Sequence, residues 1–203
     1  MDTTIFKSTY FWAIHKRPQS HFDEIISQDD SLRWEPLHRL DYETSGLLLF
    51  GVKNQAQELR NIFKNNPQTE KIYLAGATGK LPHFLESEII DGFTGERYRS
   101  SKKVKFALEE DKLRGFRQIR AAKQSARPLD KSVSSFTGEP YEVRIYTGNR
   151  HQIRAFFSSF EVPLVGDELY GAPKAPRLEL HSWKLKFICP ITQEEIRIEA
   201  PLA

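Results

Sequence analysis

The chain has 203 residues, 39% hydrophobic and 28% charged, the composition of an ordinary globular protein. That length is about one domain and buries roughly 70% of its unfolded surface. No apolar run approaches the ~20 residues of a membrane-spanning helix, and the first residues lack the pattern of a secretory signal. The single Cys189 allows neither an intrachain disulfide nor a Cys-x-x-Cys metal site, so the expectation is one domain in a reducing, cytoplasmic compartment.

The net charge of +3 is unevenly spread: Arg97 to Lys131 holds twelve Lys or Arg against four acids, whereas the remainder holds 18 basic and 23 acidic residues. Phosphate contacts from Lys and Arg supply most non-specific nucleic-acid affinity, so this segment suggests a surface for a polyanion. A solvated basic loop is the plain alternative.

Taken in chain order, "GLLLFGV" (46–52) is short, apolar and Gly-bounded, which predicts a buried strand. In "KNQAQELRNIFKNN" (53–66), Ala56, Leu59, Ile62 and Phe63 share one helical face, and Asn66-Pro67 stops the helix. "EKIYLAGATG" (70–79), "KKVKFAL" (102–108) and "PYEVRIYTG" (140–148) predict strands, with a loop-rich basic region between the last two. "RHQIRAFFSSF" (150–160) places Ile153, Phe156, Phe157 and Phe160 at helical spacing. "RLELHSWKLKFICPITQEEIRIEAPL" (177–202) predicts a hairpin around Pro-Ile-Thr-Gln-Glu. Strands outnumber helices and several have short connections, which favours a largely antiparallel sheet.

The histidines show no metal-binding spacing, and no Gly-rich dinucleotide or phosphate loop is present. "HRLD" (38–41) is similar to the HRD loop of protein kinases, but the Asp comes one residue late and no other kinase signature accompanies it. Two stretches remain: "HRLDYETSGLLLF" (38–50) and "TGNRHQIR" (147–154). Each borders a regular element and so projects side chains from a rigid scaffold. Asp41 as a turn cap through Thr44 or Ser45, and Arg150, His151 and Arg154 as a solvated helix face, are the bland readings. Together these residues offer one carboxylate and several guanidinium groups, and an Arg holds a carboxylate ionised and oriented. A lone ionised carboxylate suits nucleophilic or base chemistry at a sugar carbon without a cofactor. The residues themselves therefore point to a cofactor-free enzyme acting on a polyanion and leave the reaction open.

At these residues the sequence resembles the RluA family of RNA pseudouridine synthases. "HRLDYETSGLLLF" resembles the family's HRLD-x-x-TSGLLL segment and "EKIYLAGATG" its K-x-Y strand. "TGNRHQIRAFFSSFEVPLVGDELYG" resembles the stretch written roughly TGR-x-HQIR…HP-x-x-GD-x-x-YG. "LELHSWKLKFICPITQEEIRIEAPL" resembles the closing L-x-LHA…L-x-F-x-HP-x-T segment. Ordered matches span nearly all of residues 38 to 203. Residues 1–37 match weakly, "FWAIHKRP" being similar to a strand ending in an Asn-Lys-Pro turn but with Arg17 inserted.

The resemblance implies an α+β catalytic domain with a bent, mixed, mostly antiparallel sheet, flanking helices and a central cleft. It implies conversion of uridine to pseudouridine in folded tRNA or rRNA, with no cofactor, no metal, no membrane, no obligate protein partner and a monomer. Asp41 matches the essential aspartate, Tyr73 the ring stacked on the base and Arg154 the basic partner of the aspartate. Arg39 matches a residue that fills the gap left by the flipped nucleotide, and Leu180, with Ile153 as competitor, the apolar floor under the base. Lys71, Arg150, His151, Lys102, Lys103 and Lys105 are the expected RNA-binding residues. Such an enzyme must unstack its uridine at a cost of a few kcal/mol, which a cationic surface and an aromatic ring help to offset.

Three departures stand out: Asn149 where the family usually has Arg, Ser182 for Ala, and Cys189-Pro190 for His-Pro. No separate N-terminal RNA-binding domain is expected, so target selection falls to the catalytic domain and its basic segment. An RNA-remodelling binder and a nucleoside or glycoside hydrolase are the competing classes. Intact Asp41 and Arg154 speak against the binder, and the hydrolase lacks a second carboxylate, Glu43 being a turn residue.

Overall fold

The computed structural model describes residues 3–21, 24, 33–63, 68–86, 88–98 and 102–202, and within them the chain forms two compact units. The first comprises residues 1–72 and 181–203, the second residues 73–180.

In the first unit, β1 (Thr3–Lys7) and β2 (Phe11–Lys16) form an antiparallel pair, and β2 pairs antiparallel with β4 (Ser45–Val52). β2 and β4 alternate in the two-residue period of a strand covered on both faces. Phe11, Ala13, Leu47 and Leu49 enter one buried cluster, whereas Trp12, Ile14, Leu48 and Phe50 enter another. The apolar run that predicts β4 is thus a central strand with no solvent face. β3 (Trp34–Pro36) pairs with the C-terminal half of β4, and β10 (Leu180–Ile188) runs parallel to its beginning through His181↔Ser45 and Ser182↔Gly46. The parallel contact needs Gly46: its φ is +105°, and a Cβ there would lie 2.2 Å from the Ser182 carbonyl oxygen. His181 Nε2 donates to the Ala200 carbonyl at 3.0 Å, so Nδ1 accepts from Ser45 Oγ at 2.8 Å, and a neutral ring satisfies both. The Ser-Gly and Leu-His-Ser motifs therefore meet as structure. β10 turns back into β11 (Glu195–Glu199) as the predicted hairpin.

The expected helix over 53–66 is broken. A 3-10 turn (Lys53–Gln55) leads to a single α-helical turn, α1 (Ala56–Leu59), and a second 3-10 turn (Arg60–Phe63), and the predicted stop at Asn66-Pro67 lies outside the described residues. The buried residues Ala56, Leu59 and Ile62 recur every three positions, the repeat of a 3-10 helix, and neither Val52 nor Gln55 supplies a side-chain cap.

The second unit has the strand order β5 (Glu70–Ala77), β9 (Glu139–Ile145), β8 (Arg117–Pro128), β6 (Ile89–Glu96), β7 (Lys105–Ala107), although the first three residues of β5 belong to the first unit. The β9-β8, β8-β6 and β6-β7 pairs are antiparallel. The basic region expected to be loop-rich is loops and short 3-10 turns around one long strand, β8, of twelve residues. Its buried alternate positions are Ala122, Gln124 and Ala126, small or polar residues that give no apolar period, so the strand is hidden in sequence. β6 and β1 escape the sequence reading for similar reasons: β6 carries two glycines, and β1 is mostly exposed. β7 is shorter than the predicted 102–108. α2 (Gln152–Ser159) forms as predicted and buries Ile153, Phe156 and Phe157 in one cluster with Tyr141, Val143 and Leu180.

Candidate active site

Asp41 lies half-buried in the connection between β3 and β4, and Arg39 beside it is exposed. Both ends of this loop are pinned by the backbone of the first unit. Leu37 N–H donates to the Leu49 carbonyl at 2.9 Å, Leu49 N–H donates to His38 Nε2 at 3.0 Å, and Thr44 N–H closes a turn on the Asp41 carbonyl at 3.1 Å. The C-terminal end rests on Lys16, which is 2% exposed. Its ammonium donates to the carbonyls of Thr44, Tyr42 and Arg17 at 2.8, 3.0 and 3.1 Å. A buried cation is tolerated only with such partners, and here it ties the chain on either side to one point. Ser45 Oγ, at the end of this loop, hydrogen-bonds His181 Nδ1 at 2.8 Å.

His38 must be neutral at Nε2 to accept from Leu49. Burial, reinforced by the positive charge of Lys71 and opposed by a backbone hydrogen bond at Arg39, brings its pKa down to about 4. Lys71, expected to bind RNA, is half-buried beside this imidazole, and burial lowers its own pKa.

The second unit holds the other expected residues. Tyr73 is half-buried, packed on the cluster that contains Ile153 and Leu180. Arg154, 2% exposed, donates through Nε to Asp167 Oδ2 and through Nη2 to Asp167 Oδ1, each at 2.8 Å. This bidentate pair fixes the guanidinium plane 5.3 Å from the ring of Tyr170. The Tyr170 hydroxyl accepts from Val104 N–H at 2.9 Å and lies 3.1 Å from His151 Nδ1. The half-buried His151, at the N-terminal cap of α2, adopts φ +52°. Gln152 stitches the preceding turn: its Oε1 accepts from Thr147 Oγ1 at 2.8 Å and Asn149 N–H at 3.2 Å, and its Nε2 donates to Gln124 Oε1 at 2.6 Å.

Asn149 is part of that scaffold. Its amide donates to Thr94 Oγ1 and the Ala121 carbonyl at 2.9 and 2.8 Å, anchoring the turn to β6 and β8. Arg150 is exposed and pairs with Glu96 at 3.4 Å. Lys102, Lys103 and Lys105 are exposed, as the basic segment predicts, and line one cavity with Tyr170.

The structure thus gathers His38, Lys71, Lys16 and the Asp41 loop in one unit, and Tyr73, His151, Ile153, Arg154 and Leu180 in the other. Lys16 and Asp167 are absent from the sequence-based site. Lysine closing the apolar strand "FWAIHK" and aspartate inside "VGDELYG" are the signals that mark them. Among the described residues no cluster of His, Cys, Asp or Glu is able to hold a metal ion, and no helix is long and apolar enough to cross a membrane.

Comparison with known proteins gives this geometry a family. Residues 7–159 match the family described as RNA pseudouridylate synthase. The chain is 31% identical over 186 residues to tRNA pseudouridine synthase C of Vibrio cholerae, covering 82% of this chain and 72% of that protein. It is 31% identical over 176 residues to the dual-specificity RNA pseudouridine synthase RluA of Pasteurella multocida, covering 83% and 74%. The solved structure of human RNA pseudouridylate synthase domain containing 1 superposes with a TM-score of 0.77 at 22% identity, covering 99% of this chain and 83% of that one, and shares its fold. The mixed, mostly antiparallel sheet with few helices is that α+β fold, and the chain belongs to the RluA family of RNA pseudouridine synthases, which are isomerases.

Proposed function

We propose that this chain isomerises uridine to pseudouridine in tRNA or rRNA, with Asp41 as the essential carboxylate. The observation that carries the assignment is the Asp41 loop, held from one side by His38 on β4 and from the other by Lys16 on three carbonyls. Such fixing of a short, half-buried loop is what positioning a reactive carboxylate requires. We take the chain as one catalytic domain, in keeping with the family match over residues 7–159, which runs through both units. The names of the relatives, one acting on tRNA and one of dual specificity, support an RNA substrate.

In this reading the uridine leaves its stack, and Tyr73 receives the base. The bond from uracil N1 to ribose C1′ breaks, the base turns, and C5 bonds to C1′. The C5 proton departs and N1 gains one, so atoms balance without a second substrate. The Asp41 carboxylate serves this sequence as nucleophile at C1′ or as base at the C2′ proton. Arg154, oriented by Asp167, is the basic partner of that carboxylate's chemistry, Arg39 fills the space the base vacates, and Leu180 with Ile153 supplies apolar surface. The exposed Lys102, Lys103, Lys105 and Arg150 contribute phosphate contacts, joined by His151 and Lys71. The test is release of tritium from unmodified tRNA and rRNA transcripts labelled at uracil C5. Release above background is expected; none from either RNA class contradicts the assignment.

A further inference from the structure

The second unit contains a cavity of about 960 Å³ that none of the expected catalytic residues lines. Its wall is apolar and aromatic, with Phe106, Phe116, Phe160 and Tyr170, and its cations are Arg97, Lys102, Lys103, Lys105 and Lys112 against one acid, Glu109. Several of these charges are disposed over rings: Arg97 lies 5.8 Å from the Tyr98 centroid, Lys105 5.8 Å from Phe116 and Lys103 6.0 Å from Tyr170. Tyr98, which also lines the cavity, is 61% exposed.

We propose that this cavity binds a second, unreacting nucleotide of the RNA substrate, its base against Tyr98 and the apolar wall and its phosphates on the lysines. The proposal rests on the RNA reading above and adds a subsite to it. Its volume falls in the range of about 300–1,000 Å³ typical of small-ligand pockets, ample for one base and its ribose. An aromatic face beside a row of cations is the combination by which proteins hold single-stranded nucleotides, stacking the base and neutralising the backbone. The reacting uridine is not its occupant, because Asp41, Tyr73 and Arg154 are absent from the lining. The cavity is nevertheless wired to the expected site residues of its own unit. Tyr170, in its wall, bonds Val104, which lies between Lys103 and Lys105, approaches His151 at 3.1 Å and faces the Arg154 guanidinium. A nucleotide seated there would report on the start of α2, which gives the enzyme a way to choose among RNAs by an unpaired base away from the target.

The test is an abasic scan read by equilibrium binding. The probe is whichever unmodified tRNA or rRNA transcript the wild type binds most tightly, with the base removed at each unpaired position in turn. At one position other than the modified uridine, base removal is expected to weaken wild-type binding about tenfold, the scale of one base–aromatic stack. The same removal is expected to leave Tyr98→Ala within about twofold of its binding to intact RNA, whereas Tyr98→Phe behaves as the wild type. Tyr98 is exposed, so the substitution spares the fold. No coupled position, or equal losses in wild type and Tyr98→Ala, overturns the proposal; that result is also the one an acidic peptide ligand predicts. Because binding is measured, the outcome is independent of tritium release, whose absence strikes the synthase assignment alone.

Discussion

Leu49 donates its backbone N–H to His38 Nε2 at 3.0 Å, so the histidine of the HRLD motif acts as a neutral acceptor that fastens the Asp41 loop to β4. With a folded pKa of about 4 against 6.5 unfolded, the unfolded chain binds more protons between those values. Stability is therefore fully present above pH 6.5 and is lost as pH falls toward 4. The contribution lost between pH 7 and pH 5 is about 2 kcal/mol. Urea unfolding at the two pH values should show a difference of that size between wild type and His38→Gln, which keeps an acceptor but does not titrate. Equal pH dependence in the two proteins would remove His38 as its source.

Lys16 serves the same loop from the other side. Lys16→Met strands the carbonyls of Thr44, Tyr42 and Arg17 and should cost at least about 2 kcal/mol of stability. If the loop positions Asp41, kcat at a temperature where the variant is folded should fall more than tenfold while KM for RNA stays within a few-fold. An unchanged kcat would make Lys16 purely structural.

Arg154 and Asp167 are both nearly excluded from solvent. Asp167→Ala removes the bidentate carboxylate that orients a buried guanidinium and should destabilise the protein by about 3–5 kcal/mol, measured by denaturant midpoint at constant slope. A loss below about 1 kcal/mol would show that other groups compensate Arg154.

Gly46→Ala sets a Cβ 2.2 Å from the Ser182 carbonyl oxygen at φ +105°, so the β4-β10 contact must open and soluble yield should collapse. Gly115 also has positive φ, +87°, but nothing lies within 4 Å of its added Cβ. Gly115→Ala should cost only the backbone strain, about 1–2 kcal/mol. Comparable losses at both would refute the close-approach explanation.

Where burial and sequence period agree, the fold is legible: β4, β5, β9, the β10-β11 hairpin and α2 all carry apolar residues at the right repeat. β8 is illegible because its inward positions are Ala122, Gln124 and Ala126, and its charges face solvent. The 53–66 segment shows apolar spacing, but a repeat of three suits 3-10 turns as well as a helical stripe. Around the candidate site, Asp41, Tyr73 and Arg154 stand out by resemblance. Lys16, which holds the Asp41 loop, and Asp167, which holds Arg154, are marked only by their place in "FWAIHK" and "VGDELYG", since their charge reads as surface until the topology encloses it.

The central claim is that Asp41 does the chemistry and not the binding. Tritium release and RNA affinity, measured side by side for wild type and Asp41→Asn, test it most directly. The account predicts release by the wild type, none by Asp41→Asn, and dissociation constants within a few-fold, since the change removes a charge and adds no repulsion to phosphate. Release by Asp41→Asn near the wild-type rate would contradict it.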